Sequence, residues 1–305
     1  MHLPVLLKES IENLITDPQG IYVDCTLGGG GHLQYLLARL SPDARIIGID
    51  KDLEVLSQSR ERIGASNLTL VQSDFRNLTL ILQKLGIDTV DGILMDLGVS
   101  SFQLDIAERG FSFQTNAPLD MRMNREDSLT ARDIVNSYEE KEIKQLLYQY
   151  GEEAYAANIA RAIVKYRSEK AIETTLELVD IIKGAVPAKY RREKHPAKKS
   201  FQALRIAVNS ELDALREALP QATEVLKTGG RLCIISFHSL EDRIVKHFMQ
   251  EKSRSCVCPP DFPICICNQH PQLRVINRKP IMASVQECTE NSRARSARLR
   301  VAARI

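Results

Sequence analysis

The fold of this chain is decided by the stretch Tyr22-Val23-Asp24-Cys25-Thr26-Leu27-Gly28-Gly29-Gly30-Gly31-His32. An apolar run ends in an acidic residue, four consecutive glycines follow, and a helical pattern of leucines begins at once. This order predicts a strand, a tight turn and a helix start, the unit that brings backbone N–H groups close to a nucleotide-like cofactor. Glycine suits the turn because a Cβ would block that approach, and because some turn positions need a positive φ.

The sequence around this stretch alternates between strand and helix patterns. Strands are predicted at residues 21–26, 45–50, 68–72 and 91–97, and helices at 31–40, 52–63 and 78–85. Strands separated by helices of this length favour a parallel sheet with right-handed crossovers. An α/β domain is therefore expected.

The alternation stops after residue 101. Residues 128–184 carry only helical patterns, and a basic segment at 189–199 leads into one amphipathic helix predicted at 201–219. A stop at Gly229-Gly230 and a buried strand at 231–237 then resume the α/β pattern. We therefore predict a discontinuous α/β domain over 1–107 and 207–305, with an inserted all-helical domain over 108–206.

Composition narrows the class of protein. The 305 residues carry a net charge of +2, show no leader pattern, and include no apolar run long enough to span a bilayer. Seven cysteines, four of them between Cys256 and Cys267, do not resemble a secreted disulfide framework, so a cytoplasmic protein with reduced thiols is expected. Basic runs at 189–199 and among the arginines of 291–305 favour an RNA partner, with solvated surface loops as the alternative.

The glycine turn does not match a dinucleotide site. The pattern G-x-G-x-x-G fails at its third glycine, where Leu33 stands, and Asp24 would repel a pyrophosphate. A cationic cofactor without phosphate, S-adenosylmethionine, fits better. Asp50 ends the second strand where a carboxylate can accept ribose hydroxyls, Phe75 follows the third, and Asp96 ends the fourth.

Motifs in order along nearly the whole chain resemble the bacterial ribosomal RNA small subunit methyltransferase H family. They include the glycine stretch together with residues 2–6, 73–76, 95–101, 109–113, 118–123, 150–153, 201–209, 236–243 and 293–300. The resemblance implies a class I (Rossmann-like) methyltransferase domain that uses S-adenosylmethionine to methylate the N4 amine of a cytidine in the decoding region of 16S rRNA. The implied partner is 16S rRNA within the small ribosomal subunit, with no membrane and with a homodimer left open.

The resemblance also implies the cofactor-binding residues. These are Gly30, Gly31, His32, Asp50, Phe75, Asp96 and Gln103. Asp96 is the candidate catalytic residue, because a carboxylate that accepts an N4–H bond makes the amine a better nucleophile; holding the cofactor is its alternative role. Two other readings stay open, a nicotinamide-dependent oxidoreductase and a non-catalytic ribosome-assembly factor.

Candidate substrate contacts lie mainly in the insertion. They are Phe111, Phe113, Arg191, Lys198 and His238. A flipped base needs an aromatic partner for stacking, and Phe102, Phe111 and Phe113 follow Asp96 closely, although packing is an equal alternative for each. Ser239 and Asp242 are predicted to cap the helix that follows His238.

The cysteine cluster is the last candidate. The pairs Cys256/Cys258 and Cys265/Cys267 enclose a proline-rich loop, and four thiolates so arranged can bind zinc. The C-x-C spacing is tighter than the usual C-x2-C, so the sequence favours no metal and reduced thiols on a surface loop.

Overall fold

The computed structural model describes residues 4–193, 195–256, 258, 266–267 and 269–305. By its internal contacts the chain divides into two compact units. The sheet unit comprises Met1–Gly98 and Leu212–Ile305, and the helical unit comprises Val99–Glu211. No helix formed by the described residues combines the length and the apolar character needed to cross a membrane.

Seven strands and fourteen α-helices follow one another along the described chain. The strands are β1 Ile21–Asp24, β2 Arg45–Asp50, β3 Leu68–Gln72, β4 Val90–Asp96, β5 Leu226–Ser236, β6 Leu273–Val275 and β7 Arg298–Arg304. The helices are α1 Leu7–Leu14, α2 Gly31–Leu37, α3 Leu53–Ile63, α4 Leu78–Lys84, α5 Ser101–Asp105, α6 Ala131–Ser137, α7 Glu140–Gly151, α8 Ala156–Arg167, α9 Thr175–Ala185, α10 Ala188–Glu193, α11 Ala197–Asn209, α12 Glu211–Val225, α13 Ser239–Lys252 and α14 Val285–Glu290.

The strands form one sheet in the order β3-β2-β1-β4-β5-β7-β6. Strands β1 to β5 pair in parallel, and β7 lies antiparallel between β5 and β6. The chain order reverses direction between β1 and β4, which is the switch point where ligands bind in such sheets. This topology confirms the predicted α/β, Rossmann-like class.

Both faces of the sheet are covered by helices. Alternate strand residues point to opposite faces, so Val23 and Ile93 enter one apolar cluster while Tyr22 and Leu94 enter the other. Helices α4, α12 and α13 cover the first face, and α1, α2 and α3 cover the second. Burial on both sides explains why the central strands are nearly continuous apolar runs.

Two details of the C-terminal part differ from the predictions. The glycine pair does not stop an element: β5 runs through it, and Gly229 takes a φ of 86° where the pairing with β4 shifts register. The second detail is strand β7, which the sequence did not predict and which lies within the basic run of 291–305 that was interpreted as favouring an RNA partner. Arg300 is buried and its guanidinium binds the carboxylate of Asp242, with Nε–Oδ1 at 2.6 Å.

The helical unit has one apolar core built from α6 to α9 and α11. Thr130 and Thr174 start α6 and α9 with side chains that accept backbone N–H bonds. The only pairing of strand type found among the unit's described residues is an isolated bridge between Pro118 and Thr174. Arg109 is 2% exposed and donates to the carbonyl oxygens of Arg122 and Met123, so this cation is a core residue.

The single helix predicted over 201–219 is two helices. Ser210 takes a left-handed φ of 50° between α11 and α12. Asn209 holds the end of α11, because its Oδ1 accepts from Met123 N (2.7 Å) and its Nδ2 donates to Met121 O (2.8 Å). The apolar residues before the break belong to the core of the helical unit, and those after it belong to the sheet.

Candidate active site

Three carboxylates end neighbouring parallel strands at one edge of the sheet. Asp24 ends β1, Asp50 ends β2 and Asp96 ends β4. Because β1 lies between β2 and β4, the three side chains flank the switch point of the sheet. The predicted set of acidic strand ends is therefore one cluster.

The glycine turn follows Asp24 and leads into α2. Gly28 N donates to Asp50 Oδ2 at 2.9 Å, so the turn is tied to the end of β2. Gly30 has a φ of 68°, and a Cβ on Gly31 would meet Pro4 Cγ at 2.2 Å. These two glycines are thus required by the protein's own packing. At Gly29, by contrast, a Cβ would meet only Arg62 Nη2, at 4.0 Å.

Asp24 is 1% exposed, and its two carboxylate oxygens differ in their surroundings. Oδ1 accepts from Thr26 N at 3.1 Å, whereas Oδ2 has no hydrogen-bond partner among the described residues. Burial, with the nearby charge of Asp50, raises the pKa of Asp24 to about 7. A buried oxygen without a donor is the kind of atom that a cationic or hydrogen-bonding ligand satisfies.

Asp50 is partly satisfied by the backbone. Its Oδ2 accepts from Gly28 N and its Oδ1 from Asp52 N at 3.0 Å. Burial raises the pKa of Asp50 to about 6, although both N–H bonds favour the ionised form. An ionised Asp50 keeps lone pairs for further donors, as the two hydroxyls of a ribose would be.

Asp96 faces His32 across 3.7 Å, measured from Oδ2 to Nδ1. His32 is 6% exposed and its Nε2 lies 3.0 Å from Val5 O; since a carbonyl oxygen only accepts, Nε2 carries the hydrogen. Asp96 Oδ1 is buried with no hydrogen-bond partner within the described part of the chain. Burial, followed by the charges of Asp24 and Glu241, raises the pKa of Asp96 well above its ordinary value.

Phe75 begins a short 3₁₀ turn, which two residues separate from the end of β3, and is partly buried against the sheet. The turn is capped by Asp74, whose Oδ1 accepts from Arg76 N at 3.0 Å. Asp74 also lies 3.8 Å from Lys51 Nζ and 3.3 Å from Arg76 Nε. The ring therefore stands at the carboxyl end of its strand, as predicted.

The cap of α13 is His238, and the prediction that Ser239 caps this helix is wrong. His238 Nδ1 accepts from Glu241 N (3.4 Å), and Glu241 Oε2 accepts from Phe237 N (2.8 Å). Asp242 does not share the cap, because its carboxylate pairs with Arg298 and Arg300. Glu241 was not identified from the sequence. It stands three residues after the capping residue, the position at which a glutamate completes a capping box.

The remaining predicted site residues lie in the helical unit. Gln103 is 3% exposed and its Oε1 accepts from Ser100 N at 3.0 Å, which completes the cap of α5. Phe111 is 6% exposed and belongs to the core, which favours its packing role. Phe113 is half-buried and stacks on His195, with ring centroids 4.4 Å apart. Both predicted cations of the basic segment are exposed, namely Arg191 and Lys198.

Three of the four clustered cysteines come together. The sulfur atoms of Cys256, Cys258 and Cys267 all lie within 4.8 Å of one another. Cys265 lies outside the described residues.

Comparison with known proteins agrees with the motifs. A sequence model of the MraW methylase family matches residues 1–305. A ribosomal RNA small subunit methyltransferase H from Clostridium botulinum (strain Kyoto / Type A2) is 53% identical over 305 residues, covering 100% of this chain and 99% of the relative. The protein of that name from Carboxydothermus hydrogenoformans is 53% identical over 306 residues, covering 100% of this chain and 98% of the relative.

Among solved structures, an rRNA methylase from Streptococcus thermophilus aligns with 100% of this chain and 99% of its own. Its TM-score of 0.43 and identity of 11% are too low to support an inference. The matches of sequence confirm the resemblance stated from the motifs. Since the family match spans the whole chain and more than half of the residues are shared with named relatives, the chain belongs to the MraW methylase family.

Proposed function

We propose that this chain transfers the methyl group of S-adenosylmethionine to the N4 amine of a cytidine in the decoding region of 16S rRNA. The observation that carries the proposal is the carboxylate cluster of Asp24, Asp50 and Asp96, in which two buried oxygens have no partner among the described residues. The name of the relatives, ribosomal RNA small subunit methyltransferase H, supports the substrate class.

The cofactor is S-adenosylmethionine, and the carboxylates of the site suit it. Buried carboxylates of raised pKa are stabilised by a cation, and this cofactor carries a sulfonium and an ammonium group. When bound, it supplies a methyl group on a sulfonium leaving group. Asp50 would hold the ribose hydroxyls, Phe75 would contact the adenine, and the open side of Gly29 would leave room for the ligand's approach to the backbone.

Asp96 serves the methyl acceptor in this proposal. The carboxylate accepts a hydrogen bond from N4–H, which localises the nitrogen lone pair for attack, and takes the proton that N4 loses as its bond to the methyl carbon forms. A cation bound nearby lowers the pKa of Asp96, so its ionised form becomes available when the cofactor is present. His32 acts as a positioning residue, since its hydrogen bond to Val5 O holds Nδ1 toward Asp96.

Recognition of the rRNA is assigned to the helical domain predicted over 108–206, a range that falls within the helical unit Val99–Glu211. Its basic segment exposes Lys189, Arg191, Arg192 and Lys198, which can neutralise phosphates. Lys199 is not among them, because its Nζ donates to Glu152 O at 2.6 Å. With small-subunit rRNA as the substrate, the proposed compartment is the cytoplasm.

The test is methyl transfer to small subunits and to free 16S rRNA from cells lacking the gene. We expect label from S-adenosylmethionine at the N4 atom of one cytidine, and at least about a hundredfold slower transfer by Asp96→Asn, since a positioned acid–base group contributes 10²–10⁴-fold. Transfer to another position or atom would refute the acceptor. Binding of NAD without S-adenosylmethionine would favour an oxidoreductase, and cofactor binding without transfer would favour an assembly factor.

Cofactor placement has its own test by calorimetry. Asp50→Ala should weaken S-adenosylmethionine binding at least about tenfold, because a hydrogen bond to a charged group contributes about 1.5–3 kcal/mol, whereas the exposed Asp43→Ala should not. Gly29→Ala should weaken binding while leaving folding stability within about 0.5 kcal/mol, since its Cβ meets open space. Gly184→Ala, at an open helical position, is the matched control. Unchanged affinity in both site variants would contradict the placement.

A further inference from the structure

The segment that joins α13 to β6 is long, and its described residues form neither helix nor strand. Its two ends are held together, because Gln272 N donates to Lys252 O at 2.8 Å. Nearer the middle of the segment, Gln269 Nε2 donates to Arg254 O at 3.4 Å.

Cysteines approach one another inside this closed loop from both of its ends. Cys256 and Cys258 follow α13, and Cys267 precedes β6. The sulfurs of Cys256 and Cys267 are 3.8 Å apart. Tetrahedral ligation with Zn–S bonds of about 2.3 Å puts two sulfurs about 3.8 Å apart, whereas a disulfide needs about 2.05 Å. The spacing therefore fits two ligands of one ion and is too long for a disulfide.

Backbone N–H groups point at two of these sulfurs. Cys258 N donates to Cys256 Sγ at 3.3 Å, and Ile266 N donates to Cys258 Sγ at 3.4 Å. The thiolate is the form of cysteine that binds metals. Hydrogen bonds to the ligand atoms are also a regular feature around bound metal ions.

We propose that Cys256, Cys258 and Cys267 bind a zinc ion that closes the loop between α13 and β6. Thiolates select soft or borderline metals, and zinc is the one that adds no redox chemistry to a structural site. Binding releases the thiol protons and leaves every oxidation state unchanged. The sulfurs gather from both ends of the loop, and this geometry is the reason for proposing a metal where the sequence favoured a loop without one.

Elemental analysis of the full-length protein, purified with reductant and without chelator, tests the proposal. We expect about one zinc per chain in the wild type and less than about 0.2 in Cys256→Ser and in Cys267→Ser, since removing one ligand of a structural site abolishes tight binding. Cys288→Ser is the matched control, because Cys288 lies in α14 outside the cluster and should leave the zinc in place. Less than about 0.2 zinc in the wild type after addition of zinc and dialysis, or equal zinc in all four proteins, would overturn the proposal.

Two further readouts separate metal binding from a folding defect. Cobalt(II) added to metal-free protein should give thiolate-to-metal absorption in the wild type and in Cys288→Ser. It should give none in Cys267→Ser, although the circular dichroism of that variant should match the wild type and so show that it is folded. Removal of zinc should also speed proteolysis within residues 253–271 about tenfold or more, since a metal that closes a long loop restricts its open states. Absence of the absorption in the wild type would overturn the metal site. Cleavage that zinc release does not change would overturn the proposal that the metal closes the loop.

Discussion

Replacement of Asp24 by asparagine should remove the share that Asp24 contributes to a pH-dependent loss of stability of the protein without cofactor. The carboxyl ionises near 3.8 in an unfolded chain, whereas burial raises its pKa to about 7 in the folded protein. Between these values the folded state holds a proton that the unfolded state has lost, so the free energy of unfolding falls as the pH rises. Asparagine has no proton to lose, and its Oδ1 can still accept from Thr26 N.

The magnitude follows from the shift. A change from 3.8 to about 7 corresponds to about 4 kcal/mol at full ionisation, at about 1.4 kcal/mol for each pKa unit. Part of that loss occurs below pH 5, so between about pH 5 and pH 8 the wild type should lose about 2.5 kcal/mol more than Asp24→Asn. Bound S-adenosylmethionine should reduce this loss, because a cation favours the ionised carboxylate.

Urea unfolding of both proteins at about pH 5 and pH 8, without cofactor, measures the difference. The exposed Asp43→Asn is the control and should follow the wild type. Parallel pH profiles of the wild type and Asp24→Asn would refute the reasoning, since they would show that Asp24 ionises alike in both states.

Three further substitutions test the fold. Asn209→Ala should lower the free energy of unfolding in urea by about 2–4 kcal/mol, because two buried backbone groups lose their hydrogen bonds. The exposed Asn116→Ala should change it by no more than about 0.5 kcal/mol, and equal effects of the two substitutions would contradict the role of Asn209. Ser210→Gly should raise the melting temperature, with a gain of about 0.5–1 kcal/mol from relieving a left-handed φ, and a decrease would contradict that conformation. Asp242→Asn should lower the free energy of unfolding by about 3–5 kcal/mol at neutral pH, because buried Arg300 loses its partner. Pairing lowers the pKa of Asp242, so the difference between the two proteins should shrink as the pH is lowered and the wild-type carboxylate is protonated; a difference independent of pH would contradict the pairing.

Local sequence patterns were sufficient to predict the parallel strands of the sheet and the acidic residues at their ends. Apolar runs of the right length end in Asp50 and Asp96, and the carboxyl ends of parallel strands necessarily meet at one edge. Strand β7 was not predicted, because its arginines were interpreted as a basic surface run. Leu299 and Val301 alternate with them in a two-residue period, but the partner of Arg300 is Asp242, far away in sequence.

Other features depend on contacts that no local pattern contains. The apolar period of residues 201–219 continues through the break at Ser210, so the two helices read as one in sequence. The break becomes visible only when Asn209 binds the backbone at residues 121 and 123. The cap at His238 likewise depends on Glu241, and the neighbouring Ser239 is the residue that sequence preference selects.

The position of β7 has a consequence for biosynthesis. This strand comprises residues 298–304 and lies inside the sheet, with β5 on one side and β6 on the other. A growing chain therefore exposes the edge of β5 until residues 298–304 have been made, and open strand edges are templates for aggregation. Deletion of residues 298–304 would leave that edge of β5 open permanently, so the sheet cannot be completed before β7 has been made and has paired with β5.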